Sequence, residues 1–144
     1  MKRTFFQVVL TCMLVIVISC NTRNDQLSSL RNNWNAYIYT GETRYRFSLL
    51  GGIDAFDVPV RNDTDFLLDE VVIAINYIKK SGGLFKTEKL VITNVPPHSV
   101  KVGKAPDSPR GISVDLSISN IISRDMKFIY PGSRTNAMDP YVYN

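Results

Sequence analysis

Ile112, Val114, Leu116 and Ile118 alternate strictly with Ser113, Asp115, Ser117 and Ser119. A helix turns about 100° per residue, so it cannot set those four apolar side chains on one side, whereas a strand does so automatically and leaves the serines and the aspartate on the other. This run predicts a strand with one dry and one wet face. Similar runs recur along the chain between Gly and Pro punctuation, and that repetition points to an all-β fold.

Trp34, Ala36 and Ile38 alternate with Asn35, Tyr37 and Tyr39. After Gly41-Glu42, Tyr45, Phe47 and Leu49 alternate with Arg44, Arg46 and Ser48. The pattern predicts two strands joined by a tight turn. Phe56, Val58 and Val60 oppose Asp57, Pro59 and Arg61 in a third, which Pro59 places at an edge or a bulge because proline has no ladder donor. The stretch from Asp65 to Lys80, within which Asp69 to Lys79 is the expected strand, carries helix features: acids near its start, Lys79-Lys80 at its end and Gly82-Gly83 beyond. Its density of β-branched and aromatic residues favours a strand, with Val71, Ile73, Ile75 and Tyr77 pointing inward. Leu84 to Thr93 gives another strand, ended by Pro96-Pro97-His98-Ser99. Val100 and Val102 begin a short one that Gly103 closes, and the last runs from Met126 to Tyr130.

Seven to eight short strands with turn signals between them predict a single antiparallel β-sandwich of immunoglobulin-like type over residues 34–130, followed by a turn-rich tail over 131–144. The order VRNDTDFLLDEVVIAINYIKK, KTEKLVITNVPPHSVKV, RGISVDLSI resembles small immunoglobulin-like domains in lipoproteins and membrane-anchored proteins of Gram-negative bacteria. The likeness spans residues 56 to 118, and its motifs are structural. It implies a fold and an address, not an activity.

The address has its own signal. Lys2-Arg3 precede an apolar run from Phe5 to Ile18, broken only by Gln7, Thr11 and Cys12, which reads as a signal peptide over residues 1–19. That run is shorter than the roughly 20 apolar residues of a membrane-spanning helix. Its end, Val17-Ile18-Ser19-Cys20, resembles the bacterial lipobox. The resemblance implies cleavage before Cys20, a thioether-linked diacylglycerol on its sulfur and a further acyl chain, such as palmitate, on the new amino terminus. The competing reading is an ordinary secretory signal that leaves Cys20 as a thiol. Residues 20–33 hold only Leu27 and Leu30 as apolar positions beyond the cysteine and read as a flexible tether. Some Gram-negative lipoproteins carry an acidic cluster here that directs surface display. In this chain Arg23 opposes Asp25, so the expected place is the outer membrane facing the periplasm, with surface display left open.

Removing the leader leaves about 125 of the 144 residues, room for one domain with a core and not for two. The whole chain has 17 basic and 13 acidic residues, and two of the basic ones leave with the leader. So slight an excess implies no nucleic-acid partner. Both cysteines, Cys12 and Cys20, are accounted for by leader and lipid, so the exported domain must be held by packing without a disulfide.

Catalytic signatures are sparse. His98 is the single histidine, and its neighbour Ser99 is adjacent in sequence, which does not supply the mutual geometry of a nucleophile and its base. No phosphate loop, GxSxG elbow or HExxH helix occurs, and the expectation is a protein that is not an enzyme and needs no cofactor. Asn62-Asp63-Thr64-Asp65, with Asp69 and Glu70 nearby, has the hard oxygens a calcium ion takes but lacks an EF-hand's glycine and spacing. An Asx turn is the favoured reading, with Asp63, Asp65 and Asp69 left open as cation ligands. Asn62 to Thr64 also fits a glycosylation sequon, which the bacterial leader makes a chance match. Asp54 and Asp57 are expected on opposite faces and so not to converge. A binding surface for a protein or glycan is expected from Tyr37 and Tyr39 with Arg44 and Arg46, the competing reading being that the tail, ending Tyr141-Val142-Tyr143, packs over the sandwich. The expected function is a lipid-anchored, non-catalytic binding or scaffold module of the bacterial envelope; the alternative is an envelope hydrolase working through carboxylates.

Overall fold

The computed structural model describes residues 26–132 and 140–142 of the chain. It divides into two compact units, Met1–Asn33 and Trp34–Asn144. The leader, Cys20 and the tether before residue 26 lie outside the described residues. In the first unit, residues 26–32 are helical. The three-residue spacing of Leu27 and Leu30 puts them on one side of such a turn. The Asn32 and Asn33 side-chain amides donate to the Ser28 and Ser29 carbonyls at 3.0 Å each. Over these residues the polar stretch that reads as a tether is therefore ordered locally.

The described residues of the second unit form seven strands in two antiparallel sheets. β1 (Ile38–Thr40), β2 (Phe56–Asn62) and β5 (Ser99–Ala105) form a three-stranded sheet in the order β1-β2-β5. β3 (Leu68–Ile78), β4 (Leu84–Val95), β6 (Ser113–Ser123) and β7 (Phe128–Tyr130) form a four-stranded sheet in the order β4-β3-β6-β7. The segment that carries both helix and strand signals is thus the strand β3, paired on both sides. Val71, Ile73, Ile75 and Tyr77 are all fully buried, because β-branched side chains on a doubly paired strand have no better place than the space between the sheets. Ile38, Phe56, Val58 and Val60 are buried from the other sheet. The Phe56 and Tyr77 rings meet edge to face with centroids 6.5 Å apart, tying one sheet to the other.

Several sequence expectations are corrected. The predicted hairpin of residues 34–39 and 45–49 does not form. Trp34–Ala36 is a turn of 3-10 helix, and β1 pairs with β2 in the register Ile38↔Asn62 to Thr40↔Val60. Trp34 instead lays its ring against Tyr130, with centroids 4.5 Å apart. Residues 45–49 contribute only an isolated bridge between Phe47 and Ile53.

Pro59 lies in the middle strand of its sheet, not at an edge. Its carbonyl accepts from Gly41 N at 3.0 Å, so its backbone polar side faces β1's flank, just past Thr40, where β1 has ended. The missing donor is therefore spent where no strand asks for it, and pairing with Val102 of β5 continues. Gly103 does not end β5, which runs on to Ala105. A Cβ at Gly103 would meet the Ile92 side chain at 2.9 Å and Leu90 at 3.0 Å, so the glycine lets β5 come up against β4.

β6 outruns its clean alternation through a bulge. Val72 faces Asn120 and Ile73 faces Ile118, leaving Ser119 as the extra residue, its hydroxyl donating to the Val72 carbonyl at 3.1 Å. The bulge shifts the inward set, so Ile121 becomes a fully buried position. Val114, Leu116 and Ile118 face inward opposite Tyr77, Ile75 and Ile73, yet they are only half-buried, because β7 pairs with residues 121–123 alone. Ile112, expected on the dry face, precedes the strand and is 45% exposed. The tail returns to β7: Ile129 N donates to the Tyr141 carbonyl at 2.9 Å, and the Tyr141 ring lies 6.0 Å from Phe128 and 6.2 Å from Tyr130.

Candidate functional site

An open cleft of about 790 Å3 lies beside β2, lined among others by Glu42, Arg44, Arg46, Asp54, Asp57 and Lys104. It exists because the chain between β1 and β2 does not pair as strands. That connection crosses outside β2 and turns back at Gly51-Gly52, with φ of +92° and +89° that glycine adopts without strain. Ile53, 1% exposed, fastens the returning arm by exchanging backbone hydrogen bonds with Ser108 at 2.7 and 2.8 Å. Asp54 N donates to the Arg46 carbonyl at 2.9 Å. Three carboxylates and three cations thus share one wall of the domain. Asp57 and Lys104, opposite each other in the β2–β5 ladder, approach to 3.7 Å.

Asp54 and Asp57, expected to diverge, both line this cleft, because β2 starts only at Phe56 and Asp54 is free of the strand's alternation. Glu42, Asp54 and Asp57 are exposed.

Of the expected surface residues, Arg44 and Arg46 line the cleft, and Tyr37 and Tyr39 are not among its lining residues. Tyr39 is 38% exposed and donates its hydroxyl to Asp63 at 3.1 Å. Arg61 Nε reaches the other Asp63 oxygen at 2.7 Å. The Asp63 carboxylate, beside Arg61, holds that guanidinium above its ordinary pKa through the hydrogen bond and its charge. Tyr37 is 40% exposed and offers its carbonyl to Asp63 N at 2.8 Å.

The Asn62 to Asp65 stretch forms a tight turn around a fully buried amide. Asn62 Oδ1 accepts from Thr64 N at 3.0 Å and from Thr64 Oγ1 at 2.7 Å, and its Nδ2 donates to the carbonyls of Phe66, Val95 and Pro96. The nearby carboxylates go separate ways. Asp63 turns to Arg61, Asp65 to His98 Nε2 at 2.7 Å and Asp69 to Arg124 Nε at 2.9 Å. No group of three or more metal-ligating side chains occurs among the described residues. The Ser99 hydroxyl donates to the Pro96 carbonyl at 2.7 Å while the His98 ring meets Asp65, so the two adjacent side chains are engaged elsewhere.

The Tyr77 hydroxyl donates to the Pro106 carbonyl. Burial, and after it the charges of Glu88 and Asp107, push its pKa up to about 12. It acts as a fixed post under the loop that carries Ser108. No helix among the described residues is long and apolar enough to cross a membrane. No family model, curated protein or solved structure matches this chain.

Proposed function

We propose that this chain is a lipid-anchored protein of the bacterial envelope whose immunoglobulin-like sandwich is a non-catalytic binding or scaffold module. The immunoglobulin-like reading is supported by the order of strands, β1-β2-β5 against β4-β3-β6-β7, in which consecutive strands leave and re-enter each sheet as in a Greek key. The anchor is supported by the lipobox-like Val17-Ile18-Ser19-Cys20 behind a basic and apolar leader. Two or three acyl chains hold a protein on a bilayer far better than one.

The observation that carries the binding role is the cleft: an open wall with Arg44, Arg46 and Lys104 set among Glu42, Asp54 and Asp57. Exposed charges of both signs on a shallow surface suit a polar partner, protein or glycan, and they set register and partner choice more than raw affinity. The hydrolase alternative draws on the same three acids. The test is affinity capture of the lipidated protein from bacterial membranes, beside an Arg44→Glu, Arg46→Glu variant. A specific partner lost from the variant supports the module. Turnover of an envelope glycan that Asp54→Asn or Asp57→Asn abolishes would replace it with the hydrolase.

A further inference from the structure

The hairpin that walls the cleft ends in two leucines with no protein around them. Leu49 is 105% and Leu50 99% exposed, and Phe47 below them is 63% exposed. This is no loose loop. Ser48 N donates to the Gly52 carbonyl at 3.2 Å, Gly51 N to the Ser48 carbonyl at 3.0 Å and Asp54 N to the Arg46 carbonyl at 2.9 Å. Gly52 sits so close to the Ser108 carbonyl that a Cβ would lie 2.0 Å from it. The Tyr45 ring braces Phe47 edge to face at 6.0 Å. The turn therefore holds both leucines out in water, where an isolated exposed leucine is unremarkable but an apolar cluster on a braced tip marks a contact surface.

We propose that this tip inserts into the interfacial layer of an anionic bilayer and seats the domain on the membrane. Leu49 and Leu50 lie at the end of the hairpin, Phe47 next, and Arg46 and Arg44 behind it. From Arg44 to Ile53 there are two arginines and no carboxylate, and the acids Glu42 and Asp54 flank this segment at its base. Acyl chains, the aromatic-rich interface and anionic headgroups come in that same order from the inside of a leaflet outward. A convex tip needs no preformed pocket in a bilayer, as it would in a protein. The proposal rests on the anchor reading above for one thing only, the tether at Cys20, which raises the effective concentration of membrane so that weak insertion suffices.

The test places the full chain in vesicles of phosphatidylethanolamine and phosphatidylglycerol, with Leu50→Cys or, as a control, the exposed Leu84→Cys carrying a polarity-sensitive fluorophore. Insertion predicts a blue-shifted label at position 50, quenched by nitroxide lipids, and a water-exposed label at position 84. Adding Leu49→Asp, or Arg44→Glu with Arg46→Glu, lowers the docked-to-undocked ratio by more than about tenfold. A label at 50 as open to aqueous iodide as the one at 84 overturns the proposal. So does a shielded label at 50 that lipid nitroxides do not quench, which identifies a protein contact. The chain without an added cysteine reports the anchor separately: it takes up no label when Cys20 carries lipid. If it is labelled, the anchor reading fails, and the tip is read in the same vesicles with Cys12 and Cys20 changed to Ser.

Discussion

The side-chain amide of Asn62, at the end of β2, donates to the carbonyl of Val95, the last residue of β4, at 3.2 Å. One buried side chain thereby ties the end of one sheet to the end of the other. It also receives Thr64 N and Oγ1 and donates to Phe66 and Pro96, so the turns that follow β2 and β4 meet at a single amide. Asn62→Ala leaves several buried carbonyls and a donor unpaired and is expected to cost about 2–4 kcal/mol. Asn62→Asp is nearly isosteric but presents only acceptors to three carbonyls, so it destabilises more than Ala does. Urea melts of the three proteins check this; an Asp variant as stable as wild type would mean the amide is not the tie.

The interior of β3 gives a second test. Ile73 and Ile75 are both fully buried and paired on two sides, so Ile73→Asp and Ile75→Asp each bury an unpaired charge and are expected to unfold the domain to a similar degree. Circular dichroism on the two variants decides it. A protein that tolerates Asp at Ile73 and not at Ile75 would have one wet side there, as a helix does.

Along β6, Leu116 is only half-buried because β7 stops short of it, while Ile121 beyond the bulge is fully buried. Leu116→Ala is expected to cost about 1–2 kcal/mol, Ile121→Ala about 2–5, and Ser117→Ala on the wet face less than about 0.5. Denaturant midpoints at constant m give the order directly.

Asp69 supplies a pH-dependent contribution. Arg124 donates from Nε and from its backbone N, and these bonds hold the Asp69 carboxyl below its ordinary pKa of 3.8. A depressed folded pKa means that the unfolded chain takes up the proton first. The stabilisation is thus full above the ordinary value and is lost as pH falls through it towards the folded value. Asp69→Asn should flatten that part of the acid limb in stability measured from pH 5 to pH 2. An unchanged acid limb would show that the pair contributes nothing.

Much of this architecture was legible from periodicity. The inward set of β3 can be read from Val71, Ile73, Ile75 and Tyr77, because a doubly paired strand leaves its alternation undisturbed. The Asx turn could be read from Asn62-Asp63-Thr64. Alternation failed at Trp34–Ala36, where the aromatic contact with Tyr130 outcompetes pairing, and at 45–49, where an apolar tip and an aromatic brace mimic a strand's two faces. It also missed the Ser119 bulge, since nothing in SISNII says which residue goes unpaired. The cleft was half legible: Arg44 and Arg46 stood out, but its acids depend on where β2 begins, which composition does not reveal. Periodicity sets Leu49 with Tyr45 and Phe47 on one face of a strand, and only the turn at Gly51-Gly52 exposes it together with Leu50.

The anchor is tested most directly by the mass of the amino-terminal peptide released from the membrane-extracted protein. Lipidation predicts a chain that starts at Cys20 and carries a diacylglyceryl group and an acyl chain, and a Cys20→Ala protein that leaves the membrane fraction. A chain that starts elsewhere, or an unmodified Cys20 thiol, would contradict it.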